Sequence, residues 1–141
     1  MQAHIAVIGG GYWGKNLVRN FYELGALKAV CDVNEVQLKK LQEQFPGIDI
    51  YTEVDSVLNE NDIEGVVIAA PAAMHFALAK KALLAGKHVF VEKPLSLNVT
   101  EGEELVALAK KQGLTLMVGH LLHYHPAIQA LKTLIKDGTL S

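Results

Sequence analysis

Ile5-Ala6-Val7-Ile8-Gly9-Gly10-Gly11-Tyr12-Trp13-Gly14 is the stretch on which the reading of this chain turns. Four strand-forming residues run into glycines spaced as G-x-G-x-x-G, and an acidic residue, Asp32, stands at the end of the next strand-like run. This is the pattern of a dinucleotide-binding turn. Gly9 permits the tight exit from the strand, Gly11 leaves out the side chain that would bar a pyrophosphate, and Gly14 allows close packing of the following helix on the sheet. That helix would aim its free N–H groups and the positive end of its dipole at the phosphates. Glycine clusters also mark ordinary turns, so the motif gains its meaning from the rest of the chain.

With 141 residues, half of them hydrophobic and a fifth charged, the chain has the size and composition of one globular domain. A formal net charge of -2 and no dense Lys/Arg cluster give no field for a polyanion, so nucleic acid is not an expected partner. The most apolar stretch, Val66 to Met74, is too short to span a bilayer, and because the first residues lack the charged region and long apolar core of a secretory signal, none is expected. No membrane association and a cytoplasmic location are expected. A lone Cys31 reads as a small buried hydrophobe rather than a nucleophile.

Short β-rich runs alternate with amphipathic helical stretches, the mark of right-handed βαβ units and a doubly wound α/β domain with a parallel sheet of about six strands. Strands are predicted at His4–Ile8, Leu27–Cys31, Asp49–Tyr51, Gly65–Ala70, His88–Val91 and Thr115–Val118. The third is the least patterned, and the fourth lacks alternation, as a central strand buried on both faces does. Helices are predicted over Tyr12–Leu24, with Leu17, Val18, Phe21 and Leu24 on one stripe, then Asn34–Phe45, Val54–Asn59 and Ala73–Ala85. Asn34 is read as a cap, with Gln37 at the reciprocal position and Val33 stapled on Leu38; Thr100 to Glu103 reads as a capping box for a fifth helix ending at Gly113. A last helix opens at Pro126, carries Ile128, Leu131, Leu134 and Ile135 on its apolar face, and stops at Gly138.

In such sheets ligands lie beyond the carboxyl ends of the strands, where strand order reverses. The glycine turn, Asp32, Ala70-Pro71 and Glu92-Lys93 all occupy such ends. A carboxylate at Asp32 can accept both hydroxyls of an adenosine ribose and would repel a 2′-phosphate; with no Arg or Lys among Val33, Asn34 and Glu35, NAD is expected over NADP. A plain turn acid is the other reading of Asp32. Lys93 is the candidate for chemistry, since an ammonium can bind the hydroxyl being oxidised, stabilise a developing oxyanion or relay a proton. A solvated lysine paired with Glu92 is its bland alternative. Tyr12 and Trp13 could pack over the pyrophosphate, and core packing is equally open for the indole. His120, His123 and His125 lack a carboxylate or thiol partner at ligand spacing, so no metal is expected.

Taken together, the Ala6 to Gly14 turn, Ala69-Ala70-Pro71 with His75, and Glu92-Lys93-Pro94-Leu95 closely resemble the Gfo/Idh/MocA oxidoreductases. Within that family, Tyr12-Trp13-Gly14 and Gly119 to Pro126 are most similar to dehydrogenases of nucleotide-activated sugars such as UDP-N-acetylglucosamine or its uronic acid. The resemblance implies a Rossmann domain over 1–120 and a connecting loop and helix over 121–141. It also implies a substrate domain of α+β type that has no counterpart here, and a homo-oligomer for the two-domain form. The implied cofactor-binding set is Gly9, Gly11, Tyr12, Trp13, Gly14, Asp32, Ala70, Pro71, His75, Glu92 and Lys93, with Lys93 also catalytic beside the nicotinamide and a sugar or UDP-sugar hydroxyl. His75 matches a family position near the cofactor, with capping or solvent exposure as its plain alternative, and Ala70 replaces the threonine of many relatives. The expected function is an NAD-dependent sugar oxidoreductase represented by its cofactor domain, inactive alone. A dinucleotide-sensing or regulatory module is the alternative, and a methyltransferase domain is disfavoured by Gly14 and Glu92-Lys93-Pro94.

Overall fold

The computed structural model describes residues 4–139, so the outermost residues of the two expected segments, 1–3 and 140–141, lie outside it. Six strands form one sheet: β1 (Ile5–Ile8), β2 (Leu27–Cys31), β3 (Asp49–Tyr51), β4 (Gly65–Ile68), β5 (His88–Val91) and β6 (Leu116–Val118). Between them run α1 (Gly14–Glu23), α2 (Glu35–Gln44), α3 (Val54–Asn59), α4 (Ala72–Leu84) and α5 (Val99–Gln112). A short 3-10 helix, Leu121–Tyr124, and α6 (Pro126–Lys136) follow. The strand order is β3-β2-β1-β4-β5-β6 and every neighbouring pair is parallel. All carboxyl ends therefore share one rim, and the order reverses between β1 and β4, where the loops diverge to opposite faces and leave a crevice.

Alternate residues of the central strands feed two cores. Val7, Val30 and Val67 pack with Leu17, Val18, Leu38, Leu41 and Phe45 of α1 and α2 on one face. Ala6, Ile8, Ala29, Cys31, Val66 and Ile68 meet Leu78, Ala79, Leu83 and Leu105 of α4 and α5 on the other. Burial of each large aliphatic side chain stabilises by about 1.5–3 kcal/mol, and truncating one such as Leu38 to alanine costs about 2–5 kcal/mol. Cys31 is buried, and burial first, the Asp32 carboxylate second, pushes its thiol up to about 11. One cation also lies inside: the Lys87 ammonium donates to the carbonyls of Glu60 and Ile63, each at 2.7 Å, and so satisfies the chain leaving α3.

Several local readings are corrected. β1 begins at Ile5 and β6 at Leu116, β4 ends at Ile68, and α1 begins at Gly14, with Trp13 as its cap and Leu24 exposed beyond its end. Asn34 does cap α2, accepting from the Gln37 N–H at 3.1 Å. The Gln37 amide, however, reaches the Gly10 carbonyl rather than Asn34, and Val33, 90% exposed, staples nothing. The cap of α5 is Asn98, two residues before Thr100, because an asparagine side chain accepts the Glu101 N–H at 2.9 Å without giving up the extended backbone a cap needs. Gly113 ends α5 in the left-handed conformation that glycine alone adopts without strain. No residue of α6 is buried; Leu131, Leu134 and Ile135 are exposed.

Candidate cofactor site

The glycine turn is compact because side chains are missing where backbones meet. Gly9 has φ +98°, and a Cβ there would stand 2.8 Å from the Ala69 carbonyl oxygen of the β4 turn. A Cβ on Gly14 would lie 1.8 Å from the Gly9 oxygen, so the start of α1 rests directly on the turn. At Gly11 an added Cβ would meet nothing within 4 Å, which leaves open space in front of the helix. Helix α1 has no side-chain cap, and among the described residues the N–H groups of Gly11, Tyr12 and Trp13 find no acceptor. Unpaired amides at the positive end of a helix, facing open space, suit an anion such as a diphosphate.

Asp32 is held in place from both sides. Its Oδ2 accepts the Gly10 N–H at 2.7 Å and its Oδ1 accepts the Asn34 N–H at 2.9 Å. Gln37 closes the ring by donating to the Gly10 carbonyl at 3.2 Å. Each carboxylate oxygen keeps a second lone pair for a ligand hydroxyl. Gly10 and Gln37 were not singled out as site residues from the sequence; a third consecutive glycine was the available signal, since a Cβ on Gly10 would strike Leu41 Cδ1 at 2.8 Å. A polar cavity of ≈ 250 Å³ opens here between Asp32, Asn34, Gln37, Tyr12 and Lys15. The Lys15 ammonium stands 5.2 Å from the centroid of the exposed Tyr12 ring. An apolar cavity of ≈ 230 Å³ adjoins it, walled by Val33, Val54, Pro71 and Met74.

Across the crevice lie two further cavities, of ≈ 430 and ≈ 540 Å³, and Trp13, Glu92 and Lys93 line both. Trp13 is 43% exposed, so it belongs to the cavity wall and not to the core. Lys93 is exposed at the end of β5, and the Lys93-Pro94 bond is cis. Glu92 points inward: it is 7% exposed, Gly119 gives it room, and its Oε1 is a buried oxygen with no partner. A Cβ on Gly119 would be 3.0 Å from that oxygen, a constraint the sequence signalled only as a glycine at the end of a strand.

For His75 the structure removes the plain alternative of a cap or an exposed ring. It is neither a cap nor exposed but 1% accessible, with Nδ1 2.6 Å from the Pro94 carbonyl oxygen and Nε2 2.8 Å from that of Ala70. Thus the crevice gathers Gly9, Gly11, Tyr12, Trp13, Asp32, Ala70, Pro71, Glu92 and Lys93 on its walls, with Gly14 packed beneath the turn and His75 both bordering one cavity and spanning two of its turns. Of the three late histidines, His120 borders the larger cavity, His123 Nδ1 lies 2.9 Å from the Lys132 ammonium, and His125 accepts the Ala127 N–H at 3.2 Å to cap α6.

Comparison with known proteins bears on this crevice. Residues 3–120 match the Gfo/Idh/MocA pattern, described as an oxidoreductase family with an NAD-binding Rossmann fold. The UDP-N-acetylglucosamine 3-dehydrogenase of Acidithiobacillus ferrooxidans is 32% identical over 126 residues, which are 89% of this chain and 39% of the relative. A solved structure of that enzyme superposes with TM-score 0.86 at 30% identity, over 94% of this chain and 43% of its own. A 3-ketoreductase from Actinomadura kijaniata, solved with TDP-benzene and NADP, gives TM-score 0.90 at 25% identity, over 100% of this chain and 45% of the other. For scyllo-inositol dehydrogenase from Lactobacillus casei, solved with NAD(H) and scyllo-inositol, the TM-score is 0.90 at 23% identity, over 100% and 43%, a likeness of fold. The chain spans about two fifths of the length of such proteins. Its match over residues 3–120, the whole of the Rossmann unit, makes this chain a member of the Gfo/Idh/MocA oxidoreductase family, comprising its NAD-binding domain.

Proposed function

We propose that this chain is the NAD-binding part of a dehydrogenase acting on a sugar or sugar-nucleotide hydroxyl, and that alone it binds the dinucleotide without turning over substrate. The observation that carries the reading is the uncapped start of α1 facing open space beside an Asp32 fixed by two backbone N–H groups. Gly11, Tyr12 and Trp13 would give their N–H groups to the diphosphate, and Asp32 would accept the adenosine ribose hydroxyls. The apolar cavity between Val33 and Met74 is shaped for the adenine. When bound, the nicotinamide supplies the hydride acceptor.

The chain's own residues do the rest. Ala70 and Pro71 turn the backbone along the crevice, and Trp13 forms the wall between diphosphate and substrate sides. Glu92 Oε1, buried without a partner, is the acceptor left for a ligand N–H or O–H. The Lys93 ammonium, exposed on the cavity of ≈ 540 Å³, would hold the reacting hydroxyl and steady negative charge on its oxygen as the proton leaves. Asp32 would set a 2′-phosphate against a like charge, so NAD is favoured over NADP. Sugar and sugar-nucleotide substrates of the relatives support the substrate class, and the relatives' greater length supports a second domain as the other wall. Calorimetric titration with NADH tests the reading: saturable one-site binding, weaker for NADPH, is expected, and no heat of binding for either would remove it.

A further inference from the structure

Resting on that reading and deepening it, we infer that His75 is a doubly donating clasp that locks the turn after β4 to the turn after β5 and so fixes where Lys93 stands. Two short contacts define the clasp. Both ring nitrogens of His75 face backbone carbonyls, Pro94 at 2.6 Å and Ala70 at 2.8 Å. A carbonyl only accepts, and a neutral imidazole carries a single N–H, so one of the two contacts would set lone pair against lone pair. Only the imidazolium satisfies both. The ring is 1% accessible, leaving no water to relieve such a clash.

The placement of the clasp gives it a role. Ala70 opens the Ala70-Pro71 turn on the crevice, and Pro94 follows Lys93 directly. The two carbonyls belong to the turns that follow β4 and β5, which are neighbouring strands of the sheet, and α4, which carries His75, springs from the first of the two turns. One ring thereby ties the cofactor side of the crevice to the segment that presents the ammonium. The charged side chains lining the cavity beside it are the Glu92 carboxylate, whose buried Oε1 is unpartnered, and the Lys93 ammonium. His75 touches neither reacting atom; it is a positioning residue, and its work falls on the nicotinamide half of the site and not on the adenosine half.

Two measurements on this chain decide the matter. Nitrogen-15 NMR of the His75 ring at neutral pH is expected to show a proton on both nitrogens; a ring with one bare nitrogen overturns the clasp. Titrations with ADP-ribose and with NADH then separate positioning from general support. In His75→Phe, NADH affinity is expected to fall about tenfold, close to the worth of a single charge-assisted hydrogen bond, while ADP-ribose affinity stays within about twofold. His75→Gln, which restores one donor, is expected to recover part of the loss. Equal losses for both ligands, or no loss for either, would overturn the inference. Should the unaltered chain bind neither ligand, the proposed function falls instead, and the ring protons still decide the clasp.

Discussion

The rim of the sheet is finished differently at its two ends. Beside β1 and β2 the turn is braced internally, since Asp32 holds Gly10 and Asn34, Gln37 holds Gly10, and the Gly9 N–H is bonded to the Cys31 carbonyl at 2.8 Å, which leaves the Gly11 to Trp13 N–H groups facing outward. Beside β5 and β6 a buried Glu92 oxygen has no partner, Lys93 is exposed, and Leu121, Leu122 and Tyr124 turn apolar surface outward. The first end is organised before any ligand arrives, the kind of site that needs little reordering on binding. The second is left open, with a buried acceptor and apolar side chains that no other part of the described residues covers. Pre-organisation and incompleteness thus lie about a sheet's width apart.

The sharpest way to break this contrast is Gly14→Ala. A methyl 1.8 Å from the Gly9 oxygen has to move backbone, so a loss of about 3 kcal/mol in urea unfolding, and of NADH binding with it, is expected. Asp32→Ala comes next. It removes the anchor of two backbone N–H groups and of the ribose, and NADH affinity by fluorescence should drop about 10- to 100-fold, with NADPH affected less. Were Lys93→Ala to cost as much cofactor affinity as Asp32→Ala, the two ends would not differ as described.

At the open end a gain is expected. Glu92→Gln removes a buried charge with an unpaired oxygen, and thermal unfolding should show stabilisation by about 1 kcal/mol. The smallest effect is nil at neutral pH. Cys31, pushed up from 9.0 to about 11 chiefly by burial, releases its proton more readily when unfolded. Its contribution is therefore complete below about 9 and is lost as pH rises toward about 11, so the stability profile of the unaltered chain should bend down in that window relative to Cys31→Ala.

The parallel sheet was legible because β-branched runs and glycine punctuation are local signals, strong enough to place β2 and β5 to the residue, and even the weakly patterned β3 fell between clear breaks. Short-range competition misled elsewhere. Thr100 and Asn98 both offer capping oxygens, and only the folded backbone decides between them. Gln37 has two carbonyl or amide targets, and the one chosen lies across the chain at Gly10, beyond any local pattern. For the site, the spacing of glycines and Asp32 could be read, since backbone geometry dictates it. The burial of His75 and the solitude of Glu92 could not, because both depend on turns after β4, β5 and β6 that meet only in three dimensions.

Lys87 offers a use of its own. Its ammonium is sealed at 8% exposure and bonded to two carbonyls, unlike the lysines of the surface. An amine-reactive acylating reagent in brief pulses should mark those others quickly and Lys87 only when the molecule opens globally, which makes this one side chain a built-in clock for unfolding.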